Sequence, residues 1–314
     1  MKNIYYYNVN YECNNKCRFC LSTSTYNKKK SINLNDIKNW TNGIYTLKDS
    51  RVIINGGEPT IYKDIIEIIE LLNSKNAEIV LYSNGRRFSN YKFAEQIIKS
   101  GVNRITIPIH GNKLIHDVMT QINGSYNETI NALKNISKLK KEYEVELEVK
   151  FILTKEIIDN KINLLNLLDN ERISLEKLDT IIISGLVESK VSQINNVNLP
   201  NEDDLGPYVS NLIDLIVYRG VSINIKIEDV KLCKLNDSII DNINNNLFIQ
   251  EKLYENFYFF DSKYIYGHLI NYNKKTSFYE SCETCGLNEV CGSIMDRYRV
   301  LKRNAEGRWS ADLE

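Results

Sequence analysis

The sequence predicts an α/β fold, a partial (βα)6 barrel of the TIM type followed by a smaller C-terminal domain. Three observations lead to this prediction. From residue 4 to about 185, short runs rich in β-branched and aromatic residues alternate with longer runs of helical period, a pattern typical of repeated βα units and a parallel sheet. The six units are too few for a closed eightfold barrel but suit an open one. After about residue 185 the alternation weakens.

Six short apolar runs are the predicted strands. They lie at 4–10, 51–55, 77–83, 103–109, 145–153 and 178–184. The helices predicted between them lie at 64–75, 126–141 and 157–170. Because ligand-binding groups collect at the carboxyl ends of parallel strands, the loops after the first four strands should share one rim. Those loops read CNNKCRFC, GGEP, SNG and HGNKLIHD.

The fifth predicted strand, VELEVKFIL, alternates an apolar face with a polar one. Its apolar residues, such as Phe151, should meet the helices, which places Glu148 and Lys150 on the side of the barrel lumen. The lumen is then a polar substrate channel. In the alternative, this strand lies at the edge of the sheet and its polar face is solvated.

We expect three regions along the chain. Residues 1–185 form the barrel core, and residues 186–230 complete it with a helix near 207–219 and the strand VSINIKI. Residues 231–314 form the smaller domain, an irregular segment that holds four of the seven cysteines. No internal repeat is evident.

Composition and charge exclude several classes of protein. Forty Lys and Arg residues balance forty Asp and Glu residues, so the positive charge expected of a nucleic-acid-binding protein is missing. The chain shows neither a secretory signal nor a run of about 18 apolar residues that would span a membrane. We therefore expect a cytoplasmic protein, whose cysteines stay reduced and serve metal binding or catalysis.

Three of the cysteines crowd into the stretch YECNNKCRFC. Cys13, Cys17 and Cys20 have the spacing C-x3-C-x2-C, so a short loop can bring three sulfurs onto one small cluster. Iron–sulfur cubes normally take four thiolates. With three, one iron keeps an open position, as in catalytic rather than structural metal sites. An open iron favours a substrate or cofactor as its fourth ligand.

This spacing, with Phe19 before the last cysteine and GGEP at 56–59, resembles the radical S-adenosylmethionine (SAM) superfamily. The segments HGNKLIHDVMT and NGSYNETINALKNI resemble family members that carry extra clusters. The resemblance implies that Cys13, Cys17 and Cys20 bind a 4Fe-4S cluster and that SAM chelates its fourth iron. The reduced cluster then cleaves SAM to methionine and a 5'-deoxyadenosyl radical, which abstracts hydrogen from an unactivated C–H bond.

The resemblance also implies that the neighbouring loops bind SAM. Gly56 and Gly57 would let the backbone approach the ligand, so that their carbonyls accept hydrogen bonds from the SAM amino group, and Glu58 would add a charge-assisted bond. Ser83 and Asn84 are expected to contact the ribose or the methionyl part. The alternatives are ordinary ones: GGEP as a plain strand-to-helix turn and SNG as a common turn.

Charged and aromatic residues follow the third and fourth strands. His110 is expected at the functional rim, where it would touch SAM or the substrate. For the next pair we favour a structural role, in which Asp117 caps a helix start and His116 packs or forms hydrogen bonds. Arg86 and Arg87 are adjacent and should point different ways, so at most one of them would neutralise the SAM carboxylate.

The four cysteines of the tail are Cys233, Cys282, Cys285 and Cys291. Together they resemble the ligands of a single auxiliary 4Fe-4S cluster in a SPASM or twitch domain, and their number leaves no room for two such clusters. The first alternative is a structural zinc site held by the same four thiolates. In the second, Cys233 is a free thiol that returns a hydrogen atom to a substrate radical, as in an epimerase.

An auxiliary cluster favours an oxidative reaction, and relatives with such domains commonly modify peptides by crosslinking, thioether formation, oxidation or epimerisation. Our leading prediction is therefore a peptide maturase. The alternative is a radical SAM dehydrogenase or epimerase of a small molecule, a sugar, an alcohol or a nucleoside. A third hypothesis, from another class, is a zinc-binding interaction module without catalysis.

Two protein partners follow from these expectations. The first strand begins within a few residues of Met1, so we expect no leader-binding domain fused ahead of it, which counts against a peptide substrate. Either a separate leader-binding protein supplies that function or the substrate is small. Reduced flavodoxin or ferredoxin is the electron donor that the family implies.

Overall fold

A computed structural model describes residues 3–20, 34–42, 46–187, 190–237 and 239, together with the backbone of four later strands. Most of this part of the chain is one sheet with helices against it. The strands of the sheet are β1 (Asn3–Asn10), β2 (Ser50–Gly56), β3 (Glu78–Tyr82), β4 (Arg104–Ile109), β5 (Glu146–Leu153), β6 (Thr180–Gly185), β7 (Asn224–Glu228), β8 (Asn256–Asp261) and β9 (Tyr264–His268).

The strand order is β7-β6-β5-β4-β3-β2-β1-β8-β9. Strands β1 to β7 are each parallel to their neighbours. This seven-strand parallel sheet confirms the predicted α/β fold and the six predicted strands, and β7 continues it as expected from VSINIKI. Two further strands, β10 (Leu301–Arg303) and β11 (Trp309–Ala311), form an antiparallel pair.

Helices connect the parallel strands. They are α1 (Leu34–Asn42), α2 (Ile65–Asn73), α3 (Tyr91–Lys99), α4 (Lys113–Thr120), α5 (Ser125–Leu139), α6 (Lys155–Asp159), α7 (Leu164–Asn170), α8 (Lys190–Ile194) and α9 (Glu202–Tyr218). Helix α2 shows why they pack on the sheet. It buries Ile65, Ile68, Ile69 and Leu72, positions that share one face of a 3.6-residue period.

The predicted helix at 157–170 is in fact two helices, α6 and α7. Between them Lys161 adopts a left-handed conformation, with φ of 49°, which a continuous helix cannot contain. The Asn163 side chain then caps α7 by accepting hydrogen bonds from the N–H groups of Leu165 (2.8 Å) and Asn166 (3.3 Å). Local capping by Asn therefore outweighs the apolar periodicity that predicted one helix.

Strand β5 is an internal strand, since it pairs with β4 on one side and β6 on the other. The alternative of a solvated edge strand is therefore wrong. Phe151 is fully buried on the helix side, and Glu148 and Lys150 lie on the opposite side, facing the lumen. The lumen also holds an apolar cluster of Ile4, Ile53 and Val80, against which Tyr6 and Tyr82 pack.

Strands β8 and β9 extend the main sheet beyond β1. Strand β8 is parallel to β1, with Asn3 opposite Asn256, and β9 is antiparallel to β8. Both lie in the range predicted for the smaller domain, 231–314. None of the helices in the described part of the chain is both long and apolar enough to cross a bilayer.

Candidate functional site

The loop after β1 carries the three cysteines of the first set. Cys13 is exposed, and Cys17 and Cys20 are partly buried free thiols. The Cys20 N–H donates to the Cys17 carbonyl (3.2 Å), which turns the loop back on itself. Burial raises the pKa of the Cys17 thiol, and the nearby Cys20 and Cys13 sulfurs raise it further. The three thiols therefore share one loop, and their role as cluster ligands stays a prediction.

Neighbouring elements hold this loop in place. The N–H groups of Lys16 and Arg18 donate to the carbonyls of Thr120 and Met119 at the end of α4, both at 2.9 Å. Phe19 is buried against Met119 and Val197. The loop is therefore docked on α4 through its backbone and through the aromatic side chain that the sequence singled out.

The GGEP segment after β2 lies against the start of the cysteine loop. The Gly57 N–H donates to the Asn10 carbonyl and the Glu58 N–H to the Glu12 carbonyl, both at 2.8 Å. A Cβ on Gly56 would lie 2.3 Å from the Asn10 oxygen, and one on Gly57 2.2 Å from the Glu12 oxygen. The glycines are thus required by contact with the chain's own backbone, a reason that the sequence analysis missed. The predicted role of their carbonyls towards SAM stays a prediction.

The Glu58 side chain is almost fully buried and joins the loops after β2 and β3. Its Oε1 accepts hydrogen bonds from the Thr60 N–H (3.0 Å), the Thr60 hydroxyl (2.5 Å) and the Ser83 hydroxyl (2.8 Å). Its Oε2 accepts from the Asn84 N–H at 2.7 Å. Four donors fill about as many sites as a carboxylate offers. The structure thus gives Glu58 a positioning role, and its predicted bond to SAM stays a prediction.

Ser83 and Asn84 connect β3 to the cysteine loop. Ser83 is buried, and its hydroxyl donates to Glu58 and accepts from the Gly85 N–H at 3.0 Å. The Asn84 amide donates to Asn14 Oδ1 (2.7 Å) and, more weakly, to Cys13 Sγ (3.8 Å). Asn84 therefore reaches the first cysteine directly, whereas contact of either residue with SAM stays a prediction.

The adjacent arginines point different ways, as predicted. Arg86 donates from Nη1 to the Asn14 carbonyl (2.5 Å) and to Asn15 Oδ1 (3.1 Å), and its Nε pairs with Glu128. Arg87 instead bonds to the Thr60 carbonyl and lies over the Phe93 ring at 3.9 Å. In this arrangement Arg86 clamps the cysteine loop.

His110 follows β4 and is 3% exposed. Its ring contacts Phe19 edge-on, with centroids 5.0 Å apart, and lies 5.1 Å from the ring of His116. Burial holds the pKa of His110 well below its usual range, with His116 and Lys150 adding to the effect. Among the described residues no partner bonds to its Nδ1. His110 is therefore a neutral, buried ring beside the cysteine loop.

His116 and Asp117 have the structural roles predicted for them. The Asp117 carboxylate accepts from the N–H groups of Gly124 and Tyr126, both at 2.8 Å, and from the Ser125 hydroxyl at 2.9 Å, so it caps the start of α5. His116 is buried, and its Nδ1 accepts from the His110 N–H at 3.3 Å.

Polar side chains of β5 and β7 meet across the lumen. Glu148, 1% exposed, accepts hydrogen bonds from the Thr106 hydroxyl (2.6 Å) and from Lys226 Nζ (3.2 Å). Lys150 Nζ lies 2.7 Å from Glu228. The sequence pointed to Glu148 and Lys150 but missed their partners on β7, although the alternation NIKIE carries the same signal.

The second cysteine set lies mostly outside the described residues, which include Cys233 but not Cys282, Cys285 or Cys291. Cys233 is an exposed free thiol on the turn after β7. That turn is fixed to α9, because the Asn236 N–H donates to the Ser210 hydroxyl (3.0 Å) and Lys234 pairs with Asp203 (2.8 Å). The auxiliary-cluster ligands therefore stay a prediction.

The donor chemistry at the cysteine loop suits an iron–sulfur cluster. Its ligand set is three thiols, soft donors that favour iron–sulfur centres over hard cations. The Asn15 N–H and the Asn84 amide both donate towards the Cys13 sulfur, and such bonds are compatible with a thiolate ligand of a cluster. In the described ranges no three His, Cys, Asp or Glu side chains converge closely enough to hold a single metal ion.

Residues 7–153 match the family model of the Radical SAM superfamily. This segment is a radical SAM domain. It contains the end of β1, all of β2 to β5 and the three cysteines of the first set, so the motif that carried the resemblance lies inside the matched region. The match stops short of β6, β7 and the tail.

Curated proteins that are similar to the radical SAM domain carry names of different activities. The GTP 3',8-cyclase of Mannheimia succiniciproducens is 27% identical over 156 residues, 44% of this chain and 46% of that protein. The mycofactocin maturase MftC of Mycolicibacterium smegmatis is 25% identical over 130 residues, 41% of this chain and 33% of that protein. The chain spans about half the length of the first curated relatives it matches.

A solved structure agrees with the fold over most of the chain. Streptococcus suis SuiB bound to S-adenosylmethionine superposes with a TM-score of 0.65 over 92% of this chain and 72% of SuiB, at 16% identity. At that identity the likeness establishes the fold alone. The radical SAM domain therefore has the parallel α/β architecture of a protein that was solved with SAM.

Proposed function

We propose that this protein is a radical SAM enzyme that cleaves S-adenosylmethionine reductively and uses the 5'-deoxyadenosyl radical to abstract hydrogen from an unactivated C–H bond. The observation that carries the proposal is the cysteine loop. Three free thiols lie together on the loop after β1, inside a segment that is a radical SAM domain.

Cys13, Cys17 and Cys20 would hold a 4Fe-4S cluster. When bound, the cluster and SAM supply the electron and the radical for the reaction. The chain's own residues orient the loop: Asn84 and Arg86 bond to its first turn, and α4 holds its second half through Lys16 and Arg18. These contacts suit a site that must keep its reacting groups in fixed geometry.

The lumen would keep the reaction away from water. A hydrogen-bonded network in the lumen joins Glu148 to Thr106 and Lys226. It lies next to the apolar cluster of Ile4, Ile53 and Val80. His110, neutral and buried beside Phe19, offers a polar edge without a charge to attract water. A dry, closed pocket protects a reactive intermediate from side reactions.

We propose a peptide as the substrate, modified by crosslinking, thioether formation, oxidation or epimerisation. The support is the second cysteine set, which would bind an auxiliary 4Fe-4S cluster able to accept an electron from a substrate radical. A relative named as a maturase, MftC, points the same way. A separate leader-binding protein and a reduced flavodoxin or ferredoxin would be the partners.

One observation favours the small-molecule alternative, since several curated relatives are named GTP 3',8-cyclase. Incubation of the reconstituted enzyme with SAM, dithionite and GTP tests it, with GTP consumption followed by liquid chromatography. A GTP-dependent rise in 5'-deoxyadenosine would favour the nucleotide. Co-expression with small open reading frames beside the gene, followed by mass spectrometry of their products, tests the peptide.

The decisive experiment for the reaction class is anaerobic reconstitution with iron and sulfide. We expect a brown protein that forms 5'-deoxyadenosine from SAM under dithionite, and a Cys17→Ala variant that forms none. A wild-type protein that binds zinc but no sulfide would contradict the proposal. Iron content of Cys233→Ala addresses the second set: loss of one cluster's worth of iron supports a ligand, and unchanged iron supports a free thiol.

A further inference from the structure

Exposed apolar side chains lie on both sides of the cysteine loop. On α4, Leu114 and Val118 are 73% and 47% exposed, and because they are four residues apart they share one face of the helix. At the end of α8, Ile194 is 78% exposed. Grouped apolar side chains on a surface are typical of an interaction site.

Arg18 joins the two sides of this surface. Its N–H donates to the carbonyl of Met119, the residue after Val118, at 2.9 Å. Its guanidinium donates to the carbonyl of Asn195, the residue after Ile194, at 2.7 Å, and the Asn195 amide donates back to the Arg18 carbonyl at 2.9 Å. Since Arg18 follows Cys17 directly, the apolar side chains border the loop that would hold the cluster.

The charges on this surface are mainly positive. Lys16 in the loop and Lys113 at the start of α4 are exposed, and Arg18 is partly buried. In the described part of the chain none of these three cations forms an ion pair. Glu12 is an exposed acid on the same loop, whereas the carboxylate of Asp117 is engaged at the start of α5. An apolar centre is thus combined with a surplus of positive charge.

We infer that this surface docks an acidic protein that carries one electron at a time and delivers it to the cluster. The surface, which we call the docking face, consists of Lys16, Arg18, Lys113, Leu114, Val118 and Ile194. The inference rests on the proposed function, which requires an electron from outside the chain. One electron leaves the carrier and enters the cluster, with no bond made or broken.

Charge and position both favour such a carrier as the occupant. Complementary charges steer two proteins together and set their orientation, and electron-transfer partners meet through small, transient interfaces. A carrier seated on the docking face would contact the cysteine loop itself, because Lys16 and Arg18 flank Cys17 in the sequence. The electron therefore has a short path to the cluster.

The test compares two reductants of the reconstituted holoenzyme. Dithionite is a small ion that needs no docking face, whereas a reduced acidic flavodoxin does. The double variant Leu114→Asp/Val118→Asp places two negative charges in the apolar centre. Since like charges facing each other oppose association, we expect its flavodoxin-driven formation of 5'-deoxyadenosine from SAM to fall about tenfold or more. Its dithionite-driven rate should equal that of the wild type. No substrate is added, so a face that bound substrate instead would leave both rates unchanged.

Two further variants complete the test. Val217→Asp/Tyr218→Asp adds the same two charges at the end of α9, where the side chains are 52% and 89% exposed, and both of its rates should match the wild type. Lys113→Glu reverses one charge at the edge of the docking face. Its flavodoxin-driven rate should fall at low salt and depend less on ionic strength than that of the wild type, because salt screens the attraction that the variant has lost.

The outcomes separate this inference from the proposed function. A Leu114→Asp/Val118→Asp protein that accepts electrons from flavodoxin at the wild-type rate overturns the inference and leaves the enzyme class intact. An equal loss with both reductants also overturns it, since damage to the cysteine loop then explains the loss. If the double variant takes up no cluster, an unchanged salt dependence in Lys113→Glu overturns the inference instead. A wild-type protein that forms no 5'-deoxyadenosine with dithionite overturns the proposed function itself.

Discussion

The N–H of Asn84 lies 2.7 Å from Oε2 of Glu58, so the loops after two adjacent strands share one buried carboxylate. Asn84 in turn bonds to Asn14 in the cysteine loop. Hydrogen bonds thus connect the loops after β1, β2 and β3 at one rim of the sheet. Substitutions in these loops should affect both the stability of the protein and its uptake of metal.

Replacement of Glu58 by Gln should destabilise the protein. The amide has one acceptor oxygen in place of two, so some of the donors from Thr60, Ser83 and Asn84 lose their partner while buried. We expect a loss of about 1–3 kcal/mol in the free energy of unfolding, measured by urea denaturation. Glu67→Gln, at an exposed position on α2, is the control and should change stability by less than about 0.5 kcal/mol. Equal stability of Glu58→Gln and wild type would show that the Glu58 carboxylate does not hold the two loops together.

Substitution of Gly57 by Ala should displace the cysteine loop, because the new Cβ would meet the Glu12 carbonyl at 2.2 Å. We expect reduced iron and sulfide uptake on reconstitution, together with a lower melting temperature. Gly220→Ala is the comparison variant. Its Cβ meets nothing within 4 Å, and only its positive φ adds strain, of about 1–2 kcal/mol. Gly220→Ala should therefore take up iron and sulfide at the wild-type level. Wild-type uptake by Gly57→Ala would contradict the predicted clash with the Glu12 carbonyl.

Asp117→Ala should weaken the start of α5 by removing three hydrogen bonds at its first turn. Loss of a cap of this kind costs about 0.5–2 kcal/mol, measurable by chemical denaturation. Asp159→Ala removes only an exposed pair with Lys155 on α6 and should cost about 0.5 kcal/mol or less. If the two variants lose stability equally, Asp117 is no cap.

The buried imidazole of His116 should make the protein sensitive to acid. Burial lowers its pKa from 6.5 to about 4, so between these values the unfolded chain binds the proton and the folded chain does not. Stability from this residue is present above pH 6.5 and falls as the pH drops towards 4, by about 3 kcal/mol in all. His116→Asn keeps an acceptor for the His110 N–H and cannot titrate. The unfolding free energy of this variant should vary less steeply with pH across that window than that of the wild type. If the two proteins show the same pH dependence, His116 is not the residue responsible for the acid sensitivity.

The features that could be predicted from the sequence are those that recur along the chain or that depend on a fixed spacing of residues. The strands followed from apolar runs, and the grouping of Cys13, Cys17 and Cys20 followed from their separation along a single loop. The capping role of Asp117 and the divergence of the two arginines were also confirmed. Each of these depends on residues close in sequence, where local geometry limits the outcome.

Contacts between distant segments were not predictable in the same way. The bonds of Arg86 to the cysteine loop join residues more than 70 positions apart, and no periodicity marks them. The family resemblance predicted a bond from Glu58 to SAM, but nothing in the sequence marked the burial of its carboxylate among donors from the loops after β2 and β3. The break between α6 and α7 came from one left-handed Lys161 and one capping Asn163, a detail that an average over apolar positions obscures.

The position of β8 beside β1 has a consequence for biosynthesis. Asn3 is synthesised about 250 residues before its partner Asn256. Until then β1, which leads into the cysteine loop, has an unpaired side, and unpaired strand edges invite association with other chains. Nascent chains that stall before this point should therefore aggregate more readily than completed ones.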